Sequence, residues 1–540
     1  MSEGEAASSM APTEQKNYLG FDFSTQQVKA IVVSDSLEVL QEAAVQFDND
    51  LPEYRTHGGV HVRGDDGCSV TAPTVMWVKA LDMLMDKLRV AGADFSTIAA
   101  VSGSGQQHGS IYWRKGASKT LEGLQPERFL HEQLALAFSV TDSPIWMDSS
   151  TSEQCRMLEE AVGGPQKLAE ITGSRAYERF TGPQIAKIYQ KRKEAYNNTE
   201  RISLVSSFGC SLFLGAYAPI DLADGSGMNL LDLKTKTWHQ PLLDACAPGL
   251  AEKLGTPVAA AEQVGKVADY FIDRYGFSPE CAVVAFTGDN PASLAGMCVG
   301  QGDVVVSLGT SDTLFLWPDT PPTPQTTGHV FINPVDSTSY MALLCFKNGS
   351  LTREKIRDEC ADGTWDIFNE LLEMTPRGNF GNMGMYYHLK EITPELEGVF
   401  RFNKAGEAAG RFASKEVEVR AVVEAQFLAK RVYAEKLGYS VGGKGRRVLA
   451  TGGASGNTSL LQVLADVFNC PVYTMEVANS ACLGSAYRGK HSLVGGQYLE
   501  AVKSQSFRLA CHPNGDAHQV YTPMVKRFQS LEAAILANKK

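Results

Sequence analysis

The chain lacks several features that would place it in a specialised class. No apolar run approaches the roughly 20 residues that a membrane-spanning helix needs. The eleven cysteines are scattered without a C-x-x-C pair, so neither a zinc site nor a disulfide framework is indicated. Such cysteine usage fits a reduced compartment, and we expect a cytoplasmic protein. Residues 1–16 lack a basic segment followed by an apolar one, which predicts a disordered tail and no signal peptide.

The chain also has fewer basic than acidic residues. The formal net charge of −11 argues against nucleic acid and against an anionic membrane as partners, although a local basic pocket for phosphates stays open. The 44% apolar and 21% charged residues are typical of a globular protein. A chain of 540 residues exceeds the size of one hydrophobic core, which predicts two large domains. Small-molecule partners are expected, and the sequence leaves open a monomer or a homodimer.

A strand, a tight hydroxyl-rich turn and a second strand occur twice, once at the start of each half of the chain. The first turn contains Ser24 and Thr25, and the second contains Thr310 and Ser311. Glycine flexibility, free backbone N–H groups and hydroxyls are the groups that cradle phosphate oxygens. The recurrence indicates a diverged duplication, and two such turns across a cleft would hold a nucleoside triphosphate. The alternative for either copy alone is a solvent-exposed hairpin.

A third turn, residues 451–457, joins a predicted strand to a predicted helix. Nucleotides approach backbone N–H groups and a helix N-terminus at such places. Gly452 and Gly453 permit a close approach, and Asn457 offers hydrogen bonds to ribose or adenine. The turn matches neither G-x-G-x-x-G nor the P-loop pattern. Glycine-rich turns are common in α/β proteins, so nucleotide binding and a plain connection both remain open.

Asp289 is the strongest catalytic candidate. Pro291 suits the first position of a helix, which predicts that Asn290 caps the helix and that Asp289 ends the preceding strand. A helix N-terminus favours the ionised carboxylate, the form that accepts a proton from a substrate hydroxyl. A simple capping role is the alternative, but Asn290 already fills it. In the first turn, the Asp22 carboxylate could reach a magnesium ion directly or through water.

A glycine-rich turn after another predicted strand carries polar side chains. Gln107 and His108 stand where side chains face a pocket, and both types donate to and accept from sugar hydroxyls. A lone histidine is more often structural, which is the alternative here. Further along the chain, residues 478–486 contain small side chains at helical spacing, and these predict tight helix packing.

Apolar residues recur at helical spacing from Val75 to Leu88 and predict a helix there, and helices are also expected over 352–375 and 414–438. Strands alternate with helices along the chain, which predicts an α/β fold with a domain boundary near residue 286. Taken together and in this order, the motifs resemble the FGGY carbohydrate kinases, which belong to the superfamily of sugar kinases, chaperone ATPases and actin. The likeness extends from about residue 19 to residue 489. It depends chiefly on four segments: Ser104–Gly109, Ile145–Ser150, Gly288–Asn290 and Ser307–Ser311. Glycerol kinases have Asn-Gln-Arg-Glu where this chain has Gln-Gln-His-Gly at 106–109.

The resemblance implies two actin-like, RNase H-type domains around a central cleft. The N-terminal domain, 17–286, would hold the sugar and the first phosphate turn, and the C-terminal domain, 287–540, would hold ATP and the catalytic base. The implied activity is ATP-dependent phosphorylation of a ketose, D-xylulose, to its 5-phosphate with ATP and Mg²⁺. Another ketose or polyol, such as ribulose or sedoheptulose, is the alternative. A non-enzymatic sugar sensor is disfavoured by the carboxylate of Asp289.

The resemblance also implies the roles of individual residues. Asp289 would be the general base. The implied sugar contacts are Gln107, His108, Arg179, Asp289 and Asn290. The implied ATP contacts are Ser24, Thr25, Thr310, Ser311, Trp365, Gly452, Gly453, Ala454 and Asn457, with Trp365 stacking on adenine. Asp22 would bind the magnesium ion, directly or through water.

Overall fold

The structure is a computed structural model that describes residues 16–441, 445–475, 479–502 and 507–538. The predicted tail, residues 1–16, lies outside these ranges except for Lys16. Among the described helices, none is both long and apolar enough to cross a membrane.

The strands are numbered in chain order. They are β1 (Asn17–Phe23), β2 (Gln27–Ser34), β3 (Val39–Gln46), β4 (His61–Arg63), β5 (Ser69–Pro73), β6 (Ile98–Gly105), β7 (Ser110–Arg114), β8 (Asp142–Pro144), β9 (Thr199–Leu204), β10 (Leu231–Asp232), β11 (Thr237–Trp238), β12 (Gln263–Lys266), β13 (Ala282–Val284), β14 (Thr287–Gly288), β15 (Val304–Ser307), β16 (Asp312–Leu316), β17 (His329–Ile332), β18 (Tyr340–Phe346), β19 (Met383–Tyr387), β20 (Gly398–Phe402), β21 (Val448–Thr451), β22 (Val472–Thr474) and β23 (Arg508–Cys511).

The α-helices are numbered in the same way. They are α1 (Phe47–Asp50), α2 (Thr74–Val90), α3 (Ala117–Glu122), α4 (Leu130–Gln133), α5 (Ser152–Val162), α6 (Pro165–Thr172), α7 (Thr181–Lys191), α8 (Lys193–Asn197), α9 (Val205–Leu214), α10 (Leu222–Gly225), α11 (Gln240–Cys246), α12 (Leu250–Leu254), α13 (Asp269–Tyr275), α14 (Asp289–Gly296), α15 (Ser350–Cys360), α16 (Trp365–Met374), α17 (Lys415–Lys436), α18 (Thr458–Phe468), α19 (Ser480–Val494), α20 (Tyr498–Ala501) and α21 (Ala517–Asn538).

Two large mixed sheets repeat one topology. The first has the order β3-β2-β1-β6-β13-β12, with β14 also paired to β6, and the second has the order β17-β18-β16-β15-β21-β22-β23. In each sheet an antiparallel hairpin, β1–β2 or β15–β16, continues into two parallel strands, β6 and β13 or β21 and β22. An antiparallel edge strand, β12 or β23, completes the series. The predicted α/β class and the predicted duplication are therefore confirmed.

Hydrophobic periodicity located the main elements correctly. The predicted amphipathic helix that begins near residue 75 is α2, and the helix predicted for 414–438 is α17. The helical region predicted for 352–375 is interrupted, because α15 ends before Ala361 and α16 begins anew after Thr364. The Thr364 hydroxyl caps α16 by accepting a hydrogen bond from the backbone of Ile367.

Helix α19 comes from the far end of the chain and returns to the first sheet. It packs on β1 and β6, and also on α14. The approach is close because small residues face each other: a Cβ at Gly484 would lie 1.8 Å from the carbonyl oxygen of Ala292. A Cβ at Gly296 would lie 2.0 Å from the carbonyl oxygen of Ser480. The predicted tight helix packing is confirmed for 479–486, while residue 478 lies outside the described residues, and this packing holds α14, which begins at Asp289, against the first sheet.

Arg488 strengthens the same junction. Its guanidinium lies on α19, fully buried, and donates to the Ser102 hydroxyl at 2.8 Å, to the carbonyl of Gly103 at 3.0 Å and to the carbonyl of Ala285 at 3.1 Å. The last residues of β6 and the segment before β14 are thereby joined to α19. The domain boundary between residues 286 and 287 stays a prediction, since β14 belongs to the first sheet and α14 follows it directly.

Candidate active site

Asp289 is the first residue of α14, and this position corrects the predicted cap. Gly288 occupies the N-cap position without a side-chain bond, and Asn290 is the second helical residue. The prediction that Asn290 caps the helix was therefore wrong. The reason is that the Asp289 carboxylate itself accepts the free backbone N–H of Asn290, at 2.8 Å from Oδ1.

The surroundings of the Asp289 carboxyl group shift its pKa. Burial, followed by the nearby negative charge of Asp22, raises its pKa to about 7. Backbone N–H groups of Asn290 and Gln107 act in the opposite direction, the latter at 3.4 Å from Oδ1. A carboxylate with a pKa near neutrality can accept a proton at physiological pH and release it again.

Asp22 lies on β1 and is buried beside this carboxylate. It accepts hydrogen bonds from the hydroxyls of Ser24 and Ser104, the latter at 2.9 Å, and burial raises its pKa. The Thr25 hydroxyl accepts the indole N–H of Trp146 at 2.9 Å, which leaves the hydroxyl hydrogen available to a ligand. No local sequence pattern predicts this contact of Trp146, because it joins residues 121 positions apart.

The side-chain amides of Asn290 and Gln107 lie between Asp289 and a second acidic side chain, that of Asp224. The Asn290 side-chain amide donates to Asp289 Oδ1 at 3.1 Å and to Gln107 Oε1 at 2.9 Å. The Gln107 side-chain amide also lies beside the buried Asp224 carboxyl group, and its donation there acts against the rise in the pKa of Asp224. Gln107 therefore lies between the two acidic side chains and interacts with one of them directly.

Asp224 is an acidic residue of the site that no sequence motif indicates. It lies on α10, accepts the Ser206 hydroxyl at 2.5 Å, and has a pKa raised well above the ordinary value by burial and then by the charge of Asp221. Asp221, which caps α10, has its pKa raised to about 6, chiefly by burial. No sequence spacing links these residues to Asp289, because only the fold of 215–233 brings them behind Gly288.

His108 is held in one orientation and one tautomer. Its Nδ1 lies 2.8 Å from the carbonyl oxygen of Gly227, so Nδ1 carries the hydrogen and Nε2 is left as an acceptor. The ring stacks on Phe180 at a centroid distance of 4.3 Å. Burial, and then the charge of Arg179, lowers the pKa of His108 to about 3. The ring is therefore neutral and offers an acceptor to a hydroxyl.

Arg179 lies close enough to His108 to affect its titration but is held from elsewhere. Its guanidinium lies 4.8 Å from the centre of the Tyr177 ring and 5.6 Å from that of Phe180. It also makes a 2.7 Å hydrogen bond with Nε2 of His329, a residue of the second sheet. The structure thus brings together Gln107, His108, Asp289 and Asn290, with Asp22 and Arg179 at their margin.

Part of the predicted nucleotide set meets around a separate cavity of about 630 Å³, whereas Ser24 and Thr25 lie in the turn beside Asp22. Five of them line it: Thr310, Trp365, Gly453, Ala454 and Asn457. Gly452 lies beside the cavity with φ +84°, and a Cβ there would lie 2.7 Å from the carbonyl oxygen of Leu308. This turn therefore requires glycine, because its backbone approaches that of the second hydroxyl-rich turn so closely.

Other side chains around this cavity are already engaged. Asn457 caps α18 by accepting the backbone N–H of Leu460 at 3.1 Å, and its amide donates to Asn369 at 2.9 Å. The Arg357 guanidinium lies 4.8 Å from the centre of the Trp365 ring. The Ser311 hydroxyl contacts the carbonyl of Lys347 at 3.5 Å. The predicted nucleotide contacts of these side chains stay predictions.

Comparison with known proteins identifies the family. The profile of the FGGY family of carbohydrate kinases, N-terminal domain, matches residues 139–296, and that of the C-terminal domain matches residues 304–493. The chain belongs to the FGGY family of carbohydrate kinases. It is 57% identical over 526 residues to a xylulose kinase of Rattus norvegicus, covering 97% of each chain. It is 48% identical over 487 residues to xylulose kinase 2 of Arabidopsis thaliana, covering 88% of this chain and 87% of that one.

Solved structures show the same fold at low sequence identity. A ligand-bound xylulose kinase from Lactobacillus acidophilus superposes with a TM-score of 0.75 at 18% identity, covering 97% of this chain and 99% of that one. A Plasmodium falciparum glycerol kinase with ADP gives a TM-score of 0.73 at 13% identity, covering 96% and 98%. The predicted fold of two actin-like domains is confirmed for this FGGY kinase.

Proposed function

We propose that this kinase transfers the γ-phosphoryl group of ATP to D-xylulose and forms D-xylulose 5-phosphate. The observation that supports this most directly is the partly buried Asp289 carboxylate, with a pKa raised to about 7, beside the polar groups of Gln107, His108 and Asn290. Such a site suits a polyhydroxylated acceptor. The xylulose kinases that resemble the chain over nearly its whole length support the same substrate.

Asp289 acts as the general base in this proposal. It accepts the proton of the terminal sugar hydroxyl while that oxygen forms a bond to the γ-phosphorus and the bond to ADP breaks. Phosphoryl transfer needs positioning and charge stabilisation more than covalent help from the protein. Asn290 and the backbone of Gln107 hold the carboxylate, and the cavity around Trp365 and Ala454 takes the adenosine part.

Asp22 is the residue that we propose for magnesium. Within the described residues, no group of three or more His, Cys, Asp or Glu side chains could hold a metal ion by itself. Mg²⁺ in kinases is held by one or two carboxylates together with substrate phosphates, so the single Asp22 carboxylate fits this use. When bound, the ion neutralises charge on the phosphates, while Ser24 and Ser104 orient the carboxylate.

Two further assignments are part of the proposal. The sugar site and first phosphate turn belong to residues 17–286, and the ATP site and the base belong to residues 287–540. A cytoplasmic location is supported by the cysteines, since all eleven lie in the described part of the chain as free thiols.

A sugar panel tests the substrate. The kinase is assayed with ATP and magnesium against D-xylulose, ribulose, sedoheptulose and glycerol, with coupled detection of ADP. We expect the highest kcat/KM with D-xylulose. A higher value with another sugar would reassign the acceptor, and sugar binding without ADP release would indicate a sensor.

The pH dependence of kcat/KM for the sugar should report Asp289. A base must be ionised, so a pKa raised to about 7 predicts that kcat/KM falls as the pH drops below about 7. In Asp22→Asn the loss of a neighbouring negative charge should lower the pKa of Asp289, so that kcat/KM begins to fall only at a lower pH. The pH at which kcat/KM falls by half can be determined even if the maximal rate is lower. If this pH is the same in Asp22→Asn as in the wild type, the charge of Asp22 does not raise the pKa of Asp289.

The second phosphate turn gives a further prediction. Thr310 is exposed and lines the nucleotide cavity, so Thr310→Val removes a hydroxyl that can bind a phosphate oxygen. A hydrogen bond to a charged group contributes roughly 1.5–3 kcal/mol, which predicts a fall in kcat of roughly 10- to 100-fold. The KM for sugar should stay constant, and Thr320→Val, an exposed threonine elsewhere, serves as the control. Calorimetry that shows lost sugar binding, with unaltered kinetics at saturating sugar, would exclude the phosphate role.

A further inference from the structure

The hydrogen bond between Arg179 and His329 joins the two halves of the molecule. Arg179 precedes α7 and lies beside His108, whereas His329 is the first residue of β17 in the second sheet. The two residues are 150 positions apart, and their side-chain nitrogens are 2.7 Å apart. A group proposed for sugar binding is therefore held by a residue of the other sheet.

The tautomer of His329 follows from its two partners. The Arg179 guanidinium can only donate, so Nε2 of His329 must accept and Nδ1 must carry the hydrogen. Nδ1 lies 3.0 Å from the Ser174 hydroxyl, which receives that hydrogen. Both His329 and Ser174 are buried, and burial together with the charge of Arg179 keeps the pKa of His329 well below its usual range. The ring is therefore neutral, with its acceptor directed at Arg179.

The aromatic surroundings fix the ring plane of His329. Its centroid lies 4.7 Å from that of Tyr177 and 5.3 Å from that of Phe180. Phe180 in turn stacks on His108, so the two histidines lie on the same aromatic side chain. Because packed rings tolerate little rotation, the direction of the acceptor at Nε2 is well defined.

The backbone of β17 is anchored to the first half of the chain at the same place. The N–H of Val330 donates to the carbonyl of Gly173 at 2.9 Å, and the N–H of Ile332 donates to the Ser226 hydroxyl at 3.1 Å. A Cβ at Gly173 would lie 2.1 Å from the carbonyl oxygen of Val330, so this contact requires glycine. His329 is thus placed precisely relative to Arg179.

Arg179 itself has little else to orient it. Among the ion pairs of the described ranges none includes Arg179, and its guanidinium faces the rings of Tyr177 and Phe180. An aromatic face attracts a cation without selecting one direction for its N–H groups. The hydrogen bond to His329 supplies that direction and leaves the remaining N–H groups for a ligand.

We propose that His329 is a positioning residue for sugar recognition, which fixes the Arg179 guanidinium so that its free N–H groups meet hydroxyls of the acceptor sugar. The inference rests on the proposed function, in which Arg179 contacts the sugar. It implies that the second sheet, which carries the phosphate turn and part of the nucleotide cavity, also shapes the sugar site. Sugar specificity then depends on the contact that Arg179 and His329 make between the two halves of the chain.

The test compares two substitutions of His329 by steady-state kinetics. His329→Phe keeps the ring packing and removes the acceptor, and we expect the KM for D-xylulose to rise roughly tenfold, with the KM for ATP unchanged and kcat within about twofold. His329→Gln restores an acceptor near the position of Nε2 and should recover part of the sugar KM. His491→Phe replaces another buried histidine that does not contact Arg179 or His329, and it should change neither the KM for sugar nor the KM for ATP.

A double-mutant cycle separates positioning from general stability. In the Arg179→Ala background, His329→Phe should cause no additional rise in the KM for sugar, because the residue that it positions is gone. Multiplicative losses in the double variant, or equal losses in both KM values and in thermal stability, would overturn the proposal. Kinetics are measured on the sugar that the wild-type enzyme prefers in the panel, so a wrong substrate assignment and a wrong role for His329 give different results.

Discussion

Asp289→Ala should lower kcat roughly 10²- to 10⁴-fold while ATP and D-xylulose still bind. The carboxylate is partly buried, its pKa is raised to about 7, and it is held by the N–H of Asn290, so it is suited to accept the proton of the acceptor hydroxyl. Removing it takes away the base but leaves Gln107, His108 and the nucleotide cavity in place. Initial rates with coupled ADP detection, together with calorimetry for both ligands, measure the two effects separately.

The control for this variant is Asp269→Ala. Asp269 is also the first residue of a helix, α13, but it is exposed. It reproduces the loss of a carboxylate at a helix N-terminus without touching the site, and its kcat should match the wild type. An Asp289→Ala enzyme that retains near wild-type turnover would refute the assignment of the base.

Substitution of Gly484 should have the second large effect, although this residue lies outside the site. In Gly484→Ala the new Cβ would lie 1.8 Å from the carbonyl oxygen of Ala292 and 2.6 Å from the backbone nitrogen of Gly296. These are backbone atoms of α14, which cannot move aside alone, so α14 and Asp289 must shift together. We expect the free energy of unfolding to fall toward the upper end of roughly 1–3 kcal/mol, together with a loss of kcat.

Gly489→Ala in the same helix is the matched control. Its Cβ would meet Ala100 at 3.5 Å, an ordinary contact, so the gain in helix propensity of about 1 kcal/mol should prevail. Denaturant unfolding of both variants measures the difference. Equal stabilities of the two alanine variants would show that Gly484 of α19 does not lie in backbone contact with α14.

The elements of this fold could be predicted where the signal is local. The β1 and β15 hairpins, the helices α2 and α17 and the glycine-rich turn at 451–457 follow from hydrophobic period and turn chemistry. The cap of α14 was predicted wrongly, because proline at a helix start was taken as its first residue. In the structure Pro291 is the third helical residue, and Asp289 covers the free amide itself.

The site could be predicted only in part for a physical reason. Gln107, His108, Asp289 and Asn290 stand next to strands or turns, where short motifs place polar groups at the edge of a sheet. Asp221, Trp146 and His329 carry no such local signal, because each meets a partner more than 60 positions away along the chain. Their roles depend on which distant elements pack together.

The sequence by itself determined the α/β class, the duplicated hairpin and the candidate base, since these depend on periodicity and on residues close in the chain. Only the tertiary structure decided that α19 returns to hold α14, and that the Arg179 guanidinium is oriented by His329 of the second sheet. Burial and neighbouring charges likewise set the pKa values of Asp289, His108 and Asp224, because desolvation depends on the complete packing around each group.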